Sequence, residues 1–135
     1  MKNVILMVDD NAEMRSVFSD LLAPTKLKVL TFPSVKEAQI YLINPESRQK
    51  VLAIVSDLMM GPTDGLEFLS YVKKNPDLAH IDFFLFTGAD VSVFRPFITP
   101  FKLKGIIEKP FNRKALVQML TDLLPASDVI NKSAA

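Results

Sequence analysis

The sequence predicts a doubly wound α/β domain built on five parallel strands. Two observations carry this. Short apolar runs at residues 4–8, 29–32, 52–55, 83–86 and 105–108 alternate with stretches of helical periodicity. Such alternation implies crossover connections and a parallel sheet between two helix layers. The first, third and fourth runs are also apolar almost throughout, as strands covered on both faces are.

The elements follow in order. After the first strand, Met14, Val17, Phe18, Leu21 and Leu22 recur at three and four, one apolar helix stripe that Pro24 ends. Ser34 with Glu37 forms a capping box ahead of Val35, Ala38 and Leu42. After the third strand, Asp64 with Glu67 starts a helix through Leu66, Leu69 and Val72. The fourth crossover should lie between Phe86 and Gly105, where Pro96 and Pro100 interrupt the pattern. A proline inside a helix removes a hydrogen bond and clashes with the preceding turn, so a short or distorted helix is expected. If helical, Phe94, Phe97 and Phe101 share one face. Asn112 caps a last helix carrying Leu116, Met119, Leu120, Leu123 and Leu124, which Pro125 stops. Residues 1–125 form the domain, and 126–135 read as a flexible C-terminal tail. Five such strands commonly take the order 2-1-3-4-5, the flavodoxin-like arrangement, with ligands beyond the carboxyl ends of strands 1 and 3.

Composition narrows the function. The 135 residues suit one domain, and 49% apolar content supports a buried core. A net charge of +1 leaves no basic excess for nucleic acid. The apolar start is cut short by Asp9 and Asp10, too early for a signal-peptide core or a membrane span. The absence of cysteine excludes disulfide and thiolate chemistry and fits a reducing compartment. A soluble, cytoplasmic protein without membrane insertion is expected.

The strand ends carry the chemistry. Asp9 and Asp10 follow strand 1, Asp57 follows strand 3, Thr87 ends strand 4, and Lys109 follows strand 5. Two unit charges about 4 Å apart repel by on the order of 4 kcal/mol at an effective dielectric of 20, so clustered carboxylates call for a cation. Oxygen ligands without histidine or cysteine favour Mg²⁺, with Mn²⁺ as the substitute. A carboxylate beside a metal, a lysine and a hydroxyl is a plausible phosphoryl acceptor. Asp9 and Asp10 have a plainer reading too, as N-caps of the first helix.

Asp9-Asp10, Asp57, Asp64-Gly65, Thr87 and Lys109-Pro110-Phe111 together resemble the response-regulator receiver family of two-component signalling, over about residues 2 to 124. The resemblance implies that Asp57 accepts a phosphoryl group from a histidine kinase or histidine phosphotransfer protein. It implies Mg²⁺ held by Asp10, Asp57 and the Met59 backbone carbonyl, with Asp9 acting through water. Lys109 would pair with the phosphoryl oxygens, and Thr87 would move to hydrogen-bond them. The surface of the fourth crossover helix, strand 5 and the last helix would then change and be read by a downstream protein. The implied role is a single-domain phosphoacceptor that acts on itself, not an enzyme with turnover on a substrate. A homodimeric active form is compatible with it.

Three features depart from the family pattern. Ile106 stands where an aromatic partner to the threonine is usual. Pro62 lies one place late in the loop after Asp57, with Gly61 before it. The fourth crossover holds two prolines and three phenylalanines. Met59 and Ala89 occupy positions where the family varies. These departures motivate an alternative, a constitutive interaction module that keeps the fold and has impaired switching. A phosphatase of the haloacid-dehalogenase type is disfavoured, because Met59 stands where its second aspartate belongs, and Asn11 likewise follows Asp9. A flavin site is disfavoured by the lack of a phosphate-cradling loop after strand 1.

Overall fold

The computed structural model describes residues 2–60, 64–88 and 90–125. The expected tail, the displaced Pro62 and Ala89 lie outside the described residues. The strands are β1 (Val4–Val8), β2 (Lys28–Phe32), β3 (Val51–Asp57), β4 (Asp82–Thr87) and β5 (Gly105–Glu108). They form one parallel sheet in the order β2-β1-β3-β4-β5. The helices are α1 (Ala12–Leu22), α2 (Val35–Ile43), α3 (Pro45–Arg48), α4 (Gly65–Lys74), α5 (Arg95–Ile98) and α6 (Arg113–Thr121).

Strand periodicity divides the core in two. Val4, Leu6 and Val8 of β1, with Phe83 and Leu85 of β4, pack against α2 and α4 through Leu42, Phe68 and Leu69. Ile5, Met7, Phe84 and Phe86 point to the other face, against Phe18 and Leu22 of α1 and Leu116 and Leu120 of α6. Successive side chains of a strand point to opposite faces, so a run apolar throughout serves both cores.

The capping signals operate locally. Ser34, Asp64 and Asn112 accept the N–H groups of Glu37, Glu67 and Ala115, satisfying donors that each first turn leaves orphaned. The cap of α1 is Asn11, which accepts from Met14 at 3.0 Å, so the N-cap reading of Asp9 and Asp10 is not what the structure shows.

The fourth crossover is broken as the prolines require. A 3₁₀ turn, Val91–Phe94, runs into the single α-turn of α5. Pro96 sits in its first turn, where a missing N–H leaves no bond unmade. The three phenylalanines do not share a face. Phe94 and Phe101 pack on the core, whereas Phe97 is 63% exposed. Helix α3 has no counterpart in the sequence reading. Asn44 both ends α2 and caps α3, and Pro45 occupies its first turn.

Candidate acidic site at the strand ends

Chain order reverses between β1 and β3, whose carboxyl ends open side by side. A crevice at such a reversal is where doubly wound sheets bind ligands. Carboxylate oxygens of Asp9, Asp10 and Asp57 all lie within 4.8 Å of one another here. Asp9 is buried, Asp10 is exposed, and Asp57 is 9% exposed, enclosed yet reachable.

The backbone holds this geometry. The Asp9 N–H donates to the Phe32 carbonyl at 3.1 Å, carrying the β1–β2 pairing one residue further. The Asp9 carboxylate accepts the Asn11 N–H at 2.9 Å, and its carbonyl accepts from Arg15 Nη1 at 2.8 Å. Asp57 closes β3 as register partner of Phe86. The next N–H, from Leu58, donates to the Phe86 carbonyl at 3.2 Å, and Gly65 donates to the Leu58 carbonyl at 2.9 Å. A Cβ at Gly65 would collide with the Asp57 carbonyl oxygen, so only glycine lets α4 begin this close to the acid.

Lys109 reaches the cluster from β5. Its N–H donates to the Thr87 carbonyl at 2.8 Å, and a cis peptide bond joins it to Pro110. Its Nζ lies 3.4 Å from Asp9 Oδ2 and 3.6 Å from Asp57 Oδ1. The same ammonium sits 4.5 Å from the centre of the Phe86 ring. Burial pushes the Asp57 carboxyl above its ordinary range, and the charge of Asp9 pushes it the same way. Lys109 and the Met59 N–H act in the opposite sense, and Asp10 adds a smaller upward push.

The structure thus brings together Asp9, Asp10, Asp57 and Lys109. Thr87 is buried at the end of β4, one strand from Asp57. Met59 follows with its side chain exposed, and Ile106 lies on β5, 37% exposed. Three carboxylates facing one ammonium leave an excess of negative charge. All the donors are hard oxygens, so the set fits a divalent cation such as Mg²⁺. Sequence reasoning missed Arg15 and the proximity of Phe86 to Lys109. Arg15 falls on the polar side of an amphipathic helix, and Phe86 reads as one more core phenylalanine.

Comparison with known proteins decides the family. The family model for the response regulator receiver domain matches residues 5–121. The chain belongs to this family. The two-component response regulator ORR12 of Oryza sativa subsp. japonica is 38% identical over 77 residues, 57% of this chain and 61% of that protein. Chemotaxis protein CheV2 of Helicobacter pylori is 26% identical over 80 residues, 59% of this chain and 26% of that protein. The match therefore spans about three-fifths of the rice relative's length. Among solved structures, chemotaxis protein CheY4 of Vibrio cholerae superposes with a TM-score of 0.79 at 22% identity, covering 92% of this chain and 100% of that one. The signal receiver domain of a signal transduction histidine kinase from Syntrophus aciditrophicus gives a TM-score of 0.76 at 25% identity, covering 90% and 89%. Receiver domains are signalling modules and not classical enzymes. They generally bind Mg²⁺ at an acidic pocket and interact with histidine kinases or phosphotransfer proteins. Among the described residues, no helix is long and apolar enough to cross a membrane.

Proposed function

We propose that this receiver domain accepts a phosphoryl group on Asp57 from a histidine kinase or histidine phosphotransfer protein and thereby changes a protein-binding surface. The observation that carries the reading is the placement of Asp57. It is enclosed but reachable, 3.6 Å from the Lys109 ammonium and within 4.8 Å of two further carboxylates. An Asp57 oxygen attacks phosphorus, and a P–O bond forms as the P–N bond to the donor imidazole breaks. The electron pair leaves with the imidazole nitrogen, which takes a proton from solvent. Lys109 neutralises charge on the phosphoryl oxygens, and the Thr87 hydroxyl supplies a hydrogen bond to the product.

Asp10, Asp57 and the Met59 carbonyl would hold Mg²⁺, with Asp9 acting through water. When bound, the ion supplies charge neutralisation at the phosphoryl oxygens. The receiver catalyses this transfer to its own aspartate and the later loss of the phosphoryl group to water. The absence of cysteine fits a cytoplasmic setting. The output is a contact of β5, α6 and the α5 region with a downstream protein or a second copy of the chain.

Isothermal titration with MgCl₂ tests the cation site. Wild type should bind one ion, and Asp10→Asn should bind more weakly. Absence of binding at millimolar concentration in wild type would remove the basis for the phosphoacceptor reading. A second reading is favoured in that event by Ile106, which offers β5 no ring to rotate. It is a constitutive interaction module with impaired switching.

A further inference from the structure

Phe86 does more at this site than fill the core. It is fully buried on β4, with Asp57 as its register partner on one side and Ile107 on the other. Its ring meets Phe111 at 5.5 Å and Phe18 at 6.0 Å, both edge-on, so its orientation is fixed from two directions. The Lys109 ammonium lies 4.5 Å from the ring centre. The two carboxylates approach that ammonium at 3.4 and 3.6 Å, long for charge-assisted hydrogen bonds. The ion pairs therefore leave the direction of Nζ loosely set. The negative face of an aromatic ring attracts a cation, which an aliphatic side chain of similar size does not.

We propose that Phe86 is a positioning residue for Lys109, its ring face holding the ammonium toward the Asp57 carboxylate. The role rests on the reading of Asp57 as phosphoacceptor. It gives the site an aromatic contact on β4, whereas residue 106 of β5 offers none.

The test is a double-mutant cycle on the rate of phosphorylation by acetyl phosphate with Mg²⁺. Phe86→Leu keeps an apolar side chain and should slow labelling by about 5- to 30-fold, the span between an exposed and a desolvated cation–π contact. Its Mg²⁺ affinity should stay at the wild-type value, since the three carboxylates are untouched. In a Lys109→Ala background the same substitution should cause no further loss. An equal loss in both backgrounds overturns the proposal, because the effect then does not pass through Lys109. Unchanged labelling of Phe86→Leu overturns it as well. Phe86→Met replaces that variant should it not fold.

A second measurement separates this failure from that of the underlying reading. The Lys109 Hε signals of the wild type should carry an upfield ring-current shift that Phe86→Leu abolishes. If that shift is seen but wild type takes no phosphoryl group, the acceptor reading fails and the positioning role falls with it. If wild type is labelled and the shift is absent, only the positioning role fails.

Discussion

The site sets the function of single residues against their stability. Burial and the nearby charge of Asp9 raise the Asp57 carboxyl above its ordinary value of 3.8. Between that value and the raised one, the folded chain binds more protons than the unfolded chain, so stability falls as pH rises through this window. Above it the full cost of ionised Asp57 is present. In EDTA at pH 7, Asp57→Asn should therefore melt higher than wild type, with the difference shrinking toward pH 3.8. An equal or lower melting temperature at pH 7 would contradict this account. Gly65 is constrained by space. Gly65→Ala drives a methyl group into the Asp57 carbonyl. A cost of about 1–3 kcal/mol is expected from such overpacking, read from urea denaturation. At this scale, the sequence made Asp9, Asp10, Asp57 and Lys109 legible because each lies beside a readable strand end. Arg15 and Phe86 were hidden, because their contacts with Asp9 and Lys109 exist only once α1 and β4 are docked.

At the level of elements, the caps act as written, but α6 ends at Thr121, four residues before Pro125, so Leu123 and Leu124 lie beyond the helix expected to carry them. Asn112 holds the first turn of α6 through a 2.8 Å bond from the Ala115 N–H. Asn112→Ala should cost about 1 kcal/mol by chemical denaturation, with phosphorylation of Asp57 retained. No change in stability would mean that the cap is idle. The strand boundaries show where pattern reading stops. The 52–55 run extends through Ser56 and Asp57, because those polar residues still pair with Leu85 and Phe86 of β4. Helix α3 was invisible because Pro45, Glu46, Ser47 and Arg48 carry no apolar stripe. Pro96 and Pro100 announced a broken crossover, and the 3₁₀ turn followed by one α-turn is that break. The pattern failed for the faces of Phe94, Phe97 and Phe101, since side-chain direction depends on how the break is made.

At the scale of the whole fold, two apolar cores hold one sheet, and among the described residues the carboxylate cluster lies at one edge of it. Phe86 joins core and site, since it belongs to one core and its ring lies 4.5 Å from the Lys109 ammonium. Strand order was legible from alternation and full-length apolar runs, because few chain paths satisfy both. A binding partner was not legible, because fold does not carry function and an exposed surface names no ligand. Everything proposed for the site depends on Asp57 as the phosphoacceptor. Intact mass is to be measured after incubation with Mg²⁺ and acetyl phosphate, with wild type and Asp57→Asn side by side. Wild type should gain one phosphoryl group and the variant none. Labelling of both, or of neither, would rule out Asp57 as the acceptor.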